Sequence, residues 1–122
     1  MANNSKLTRM VGMAKRAGKL DIGESRAEDR IRSGESFLVI LSSDASANTK
    51  KKFNNMCNFR ELPLIELWDR NVLGHCIGRE FAVVISVADE GFAKQIIALN
   101  EIEVSEFGTA ECNTPLNIER ID

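Results

Sequence analysis

The sequence predicts an α/β protein: a three-layer α/β/α sandwich with a mixed, mostly buried four-stranded sheet. Two observations carry this reading. The runs "FLVILS" and "FAVVISV" are continuously apolar rather than alternating, as expected of strands covered on both faces. Segments with helical periodicity separate the strand-like ones, in the order α-β-α-β-α-β-α-β-α, and helices on both faces of a sheet are the layered arrangement that such alternation favours. A length of 122 residues suits a single core.

From Ser5, the residues Leu7, Met10, Val11 and Ala14 recur at helical spacing, and Gly18 supplies the stop. "LDI" is a short strand. Gly23 then turns the chain into a helix from about Ser25 to Ser33, with Ser25 and Glu28 at capping-box spacing and Gly34 closing the end. After "FLVILS", the stretch "ASANTKKKFNNMCNF" reads as a helix. Thr49, Phe53, Met56 and Cys57 face inward on it, Lys51, Lys52, Asn55 and Asn58 face outward, and Asp44 is a helix-start residue. Pro63 opens the strand "LIELW". "RNVLGHCIG" is a short helix in which Gly74 and Gly78 permit close packing. "FAVVISV" is the last strand and "EGFAKQIIALNEI" the last long helix, anchored by Phe92. Residues 1–102 form one domain on this reading. Residues 103–122 have turn formers and no clear period, and are expected to be an acidic tail, mobile or docked.

The formal charge of −2 conceals an asymmetry. Glu101, Glu103, Glu106, Glu111, Glu119 and Asp122 stand against Arg120 alone at the C-terminal end, whereas Lys6, Arg9, Lys15, Arg16 and Lys19 meet no acid before Asp21. A basic body with an acidic end is compatible with a polyanionic partner.

Cys57, Cys76 and Cys112 are odd in number and lack C-x-x-C spacing, so neither a disulfide framework nor a zinc site is expected, and a reducing cytoplasm fits. No apolar leader or membrane span is visible. Phosphate-binding glycine loops, nucleophile elbows and zinc-protease motifs are missing. His75 is the only histidine and reads as a surface or packed residue. No enzyme activity, cofactor or metal is expected.

The segments "GMAKRAGKLDIGE", "LVILSSDASANTKKK", "CNFRELPLIEL", "VLGHCIGRE" and "AVVISVADEGFAKQI" together resemble the kink-turn-binding ribosomal proteins of the L-seven-Ae and L-thirty-e type, in particular their small bacterial YlxQ-like branch. The resemblance covers roughly residues 7–99. It implies an α/β/α sandwich that binds sharply bent RNA, in which a short bulge is flanked by sheared G·A pairs. By resemblance, the turn and helix at Gly23, Glu24, Ser25 and Arg26 enter the RNA groove, and the loop Val87, Ala88, Asp89, Glu90 and Gly91 packs against bulged bases. Lys15, Lys19, Arg30 and Lys94 supply charge for phosphate.

The family motif G-x-N-E-x-x-K reads here Gly23, Glu24, Ser25, Arg26, Ala27, Glu28, Asp29, keeping only the glycine. The expected function is non-enzymatic binding of structured, kink-turn-like RNA, ribosomal or messenger, in association with the ribosome. The alternative is a protein-interaction module that keeps the fold and has lost kink-turn binding.

Overall fold

In the computed structural model, which describes residues 6–107, five helices and four strands alternate along the chain. They are α1 (Lys6–Arg16), β1 (Leu20–Ile22), α2 (Glu24–Arg32), β2 (Leu38–Ser42), α3 (Ala47–Phe59), β3 (Leu64–Leu67), α4 (Arg70–Cys76), β4 (Val84–Val87) and α5 (Glu90–Phe107). The sheet order is β1-β4-β2-β3. β4 runs antiparallel to both β1 and β2, and β2 runs parallel to β3, so the sheet is mixed as the sequence predicts.

The two continuously apolar runs supply the central strands. Every residue of β2 and β4 is buried, whereas the edge strands β1 and β3 are partly exposed. Alternation along β2 divides the interior in two. Leu38 and Ile40 join Leu7 and Val11 of α1, Leu73 of α4 and Ile96 of α5 on one face. Val39 and Leu41 join Ala27 and Ile31 of α2 and Phe53 and Cys57 of α3 on the other. The three layers are therefore α1/α4/α5, the sheet, and α2/α3.

Several boundaries differ from the sequence expectation. α2 begins at Glu24, with Gly23 as its N-cap, and no side chain caps it. Ser25 is already inside the first turn, so the capping-box spacing is not used. Gly23 has φ 109° and ψ 155°, a conformation essentially restricted to glycine, and its N–H bonds the Val84 carbonyl at 2.9 Å. That tertiary anchor moves the cap from Ser25 to Gly23.

The last strand is shorter than "FAVVISV": only Val84–Val87 is paired, and Phe81 is 55% exposed. Asp44 does not start α3. Ser46 does, accepting from the Thr49 N–H, while Asp44 accepts from the Arg70 N–H at the start of α4. Burial pushes the Asp44 carboxyl up, but the Ser42 hydroxyl and the Arg70 charge and N–H outweigh it and hold it below its ordinary value.

Gly74 packs tightly as expected, its Cα facing the Phe81 backbone. Gly78 instead serves a turn at φ 75°, with open space around it. α5 runs to Phe107, so residues 103–107, assigned to the tail, are helical. The rest of that tail, 108–122, lies outside the described residues.

Candidate nucleic-acid interface

Strand direction decides which parts of the chain meet. β1, β2 and β3 all point toward one edge of the sheet, and β4 enters from that same edge. The starts of α2, α3 and α4 therefore gather there, outside the carboxyl ends of three strands. Two of the three are closed by side chains: Ser46 caps α3, and Asp69 caps α4 by accepting from the Val72 N–H at 2.9 Å. The start of α2 alone is open. Its first N–H groups have no intrahelical partner and carry the positive end of the helix dipole.

Beside this open start runs the segment Gly78–Val83, which connects α4 to β4. Together with Ile22, Gly23 and Glu24 it bounds a shallow cleft of about 600 Å³. Phe81, Ala82 and Val83 give the cleft an apolar wall, and Arg79 and Glu80 stand exposed on its rim. The segment is held by Ala82 N–H to Arg70 O at 3.0 Å, Arg79 N–H to Gly74 O at 2.9 Å and Ser42 N–H to Val83 O at 2.9 Å. Its position is thus set by α4 and by the end of β2.

The residues singled out from sequence do not form one site. Gly23 and Glu24 line the cleft, Ser25 follows in the first turn of α2, and Arg26 lines a separate hollow with Asp21, Asp29 and Arg30. Lys19, Val87, Ala88, Asp89, Glu90 and Gly91 lie at the opposite edge, because Leu20 pairs with Val87 while Ile22 pairs with Ile85. At that far edge the Ala88 N–H bonds the Lys19 carbonyl at 2.8 Å, and Asp89 accepts from the Phe92 N–H at 2.9 Å, capping α5. Val87 is fully buried, and Glu90 and Gly91 belong to the first turn of α5. Lys94 pairs with Glu90 at 3.4 Å, and Lys15 sits in the last turn of α1.

Arg30 is committed to structure. Its guanidinium donates to Asp21 at 2.8 and 3.3 Å and to Glu35 at 2.7 Å, and the Asp21 hydrogen bond and charge push its pKa further up. Lys52 of α3 reaches across to Glu28 and, at 3.4 Å, to Glu24. It thereby fastens the first turns of α2 to the neighbouring helix and neutralises carboxylates beside the cleft. Arg26 is exposed in the first turn of α2, and like Arg79 and Lys51 it makes no ion pair among the described residues.

Sequence reasoning missed Gly78–Val83. The available signal was "GRE", a glycine and a charge pair breaking the apolar runs on either side. Nucleophilic chemistry finds no support in the two thiols among the described residues. Burial pushes Cys57 and Cys76 up to about 11, so both are protonated at neutral pH. Alkylation by iodoacetamide at pH 7 is expected to leave both unmodified in the native protein and to label both in denaturant, as read by peptide mass spectrometry. No group of three or more potential metal ligands occurs among the described residues, and no helix among them is long and apolar enough to cross a membrane.

The fold is thus an α/β/α sandwich in which the uncapped start of α2 borders a shallow, apolar-walled cleft, the geometry of a binding domain. The chain belongs to the Ribosomal protein L7Ae/L30e/S12e/Gadd45 family, whose model matches residues 5–97, a family of non-enzymatic RNA binders. It is 42% identical over 90 residues to the RNA-binding protein YlxQ of Bacillus subtilis strain 168, covering 74% of this chain and 90% of that one. It is 36% identical over 99 residues to the RNA-binding protein YlxQ of Enterococcus faecium, covering 81% and 95%.

Among solved structures, a protein of unknown function from Bacillus halodurans C superposes with a TM-score of 0.77 at 38% identity, covering 79% of this chain and 97% of that one. The Giardia lamblia 15.5kD RNA binding protein shares the fold, with a TM-score of 0.68 at 18% identity over 85% of this chain and 90% of the other.

Proposed function

We propose that this protein binds sharply bent, kink-turn-like RNA in the cytoplasm, on ribosomal RNA or in association with the ribosome, without catalysis. The observation that carries the reading is the uncapped start of α2 facing the wall formed by Gly78–Val83. Open N–H groups at a helix start donate to phosphate oxygens or to acceptors on base edges. An exposed phenylalanine at 55% of its surface, Phe81, offers a stacking face for an unpaired base. Bent RNA presents phosphate and unstacked bases together, whereas the deep, narrow major groove of a straight duplex hides its base edges from side chains. Arg79 lines the cleft, and Arg26, in the first turn of the helix that opens onto it, adds a second positive charge.

The test is titration of a kinked RNA and a straight duplex at two salt concentrations. Arg26→Ala and Arg79→Ala are each expected to cost about 1–3 kcal/mol on the kinked RNA and less on the duplex. Lys51→Ala, on an outward face of α3, is expected to weaken both RNAs by a smaller, equal amount. Equal affinity of the wild type for both RNAs would sink the reading. One observation favours the alternative of a protein-interaction module in that event: Asp29 lines the hollow beside Arg26 and, unlike Asp21 and Glu35, which Arg30 holds, makes no ion pair among the described residues, so its carboxylate repels phosphate and suits a basic protein surface.

A further inference from the structure

The edge of the sheet opposite the cleft, where β1, β2 and β3 begin, gathers the ends of the three helices that precede them, α1, α2 and α3. Two large apolar side chains stand exposed on it. Phe59, at 82%, is the most exposed large hydrophobic residue among those described, and Phe37 is 39% exposed. Neither belongs to the two apolar clusters that build the interior. We propose that this edge is a second nucleic-acid surface, which binds single-stranded RNA by stacking unpaired bases on Phe59 and Phe37 and holding phosphate with Lys19 and Arg60. It shares no residue with the cleft, and the proposal does not rest on recognition of bent RNA.

Three observations select this ligand. The first is placement on rigid elements. The Phe37 N–H bonds the Val87 carbonyl at 2.8 Å and the Ala88 N–H bonds the Lys19 carbonyl at 2.8 Å. Phe37 and Lys19 therefore flank the exit of β4, two strand spacings or about 10 Å apart. On the other side of Phe37, the Val39 N–H bonds the Pro63 carbonyl at 3.0 Å, which brings in the chain just after Phe59 and Arg60 at the end of α3.

The second is the charge left over. Lys15, Arg16, Lys19 and Arg60 make no ion pair among the described residues. The carboxylates of this edge are mostly engaged: Arg30 holds Glu35, Lys94 holds Glu90, and Asp89 accepts from the Phe92 N–H. Among the described residues there, Glu61 is the one carboxylate left without a partner. The negative end of the α1 dipole accounts for Lys15 and Arg16, but it does not account for exposed phenylalanines beside them.

The third is the match of both chemistries at once. The Arg60 guanidinium lies 5.5 Å from the centroid of the Phe59 ring, so a cation and a stacking face are presented as a unit. Aromatic platforms interleaved with cations are what single strands require, since every base has a π-face and every nucleotide a phosphate. An acidic protein would satisfy the cations and leave the rings in water.

The test uses the full chain and a short fluorescent oligouridine, titrated by anisotropy at two salt concentrations. Phe59→Ala and Phe37→Ala are each expected to weaken binding at least about fivefold, the loss of one stacked base, while Phe59→Tyr, which keeps the ring, stays within about twofold of wild type. Lys19→Ala is expected to weaken binding less and to flatten its salt dependence. Phe59→Ala is expected to leave unchanged both the thermal midpoint and the affinity for a kinked RNA without single-stranded ends, because Phe59 lies outside the core and the cleft. Oligouridine affinity unaltered by both alanine substitutions would overturn the proposal. So would displacement of the oligouridine by polyglutamate as effectively as by its own unlabelled form, the result expected if the edge takes an acidic protein. A wild type without preference for kinked RNA would leave each of these readouts intact, so the two proposals fail separately.

Discussion

Replacement of Gly74 by alanine is expected to lower the thermal midpoint by roughly 10–20 °C, the equivalent of about 2–3 kcal/mol in a domain of this size. A Cβ on Gly74 would sit 2.4 Å from the Cα of Phe81 and 2.6 and 2.7 Å from its carbonyl carbon and nitrogen. All three are backbone atoms. Relief therefore requires the whole Gly78–Val83 segment to move off α4, since no side-chain rotation can open the space. That segment is one wall of the cleft, so the same substitution is expected to weaken binding of kinked RNA even at temperatures where the variant is folded. Gly78→Ala is the comparison. Open space surrounds it but φ is 75°, so its cost is about 1 kcal/mol of backbone strain. Thermal melts of the two variants check the ordering. A Gly74→Ala melt within a few degrees of wild type would show that the α4 contact is loose.

Phe53→Ala is expected to be the most destabilising single truncation on the α2/α3 face, costing about 3–5 kcal/mol. Phe53 is fully buried and is the largest side chain of the cluster that holds Ala27, Ile31, Val39, Leu41 and Val84 together. Its loss removes the largest of the contacts between α3 and the sheet, leaving Cys57 and Met56, and opens a void beneath α2. Denaturant titration measures the change. A truncation cost below about 1 kcal/mol would mean that α2 and α3 collapse into the space.

Much of the fold was legible because it rests on local pattern. The apolar continuity of residues 38–42 is what a strand flanked on both sides needs, and the spacing of Phe53 and Cys57 is what a helix lying on that strand needs. What was not legible depends on long-range pairing. Ser25 and Glu28 have the spacing of a cap, yet the helix starts at Gly23 because a carbonyl 61 residues away, that of Val84, takes the Gly23 N–H. "FAVVISV" has seven strand-like residues, yet only four are paired, since β1 and β2 offer partners to Val84–Val87 and no further.

The candidate site divided for the same reason. Resemblance placed the Gly23 turn and the Val87–Gly91 loop in one interface, and the antiparallel run of β4 against β1 sets them at opposite edges of the sheet. Arg30 looked available one helical turn from Arg26, and only tertiary structure reveals that Asp21 and Glu35 hold it.

The strand order has a consequence for how the molecule comes into being. β4 is the last strand along the chain and yet lies in the middle of the sheet, between β1 and β2. A nascent chain that has emerged only as far as β3 can join β2 to β3, but β1 has no neighbour and the Gly23 N–H has no carbonyl to meet. Completion waits for one strand to slot between two already made, a closure over more than 60 residues that local helix formation cannot hasten. Both walls of the cleft are fixed by that late insertion, at Val84 on one side and Val83 on the other. The chain therefore has no half-built version of this cleft during synthesis; the cleft arrives with the last strand.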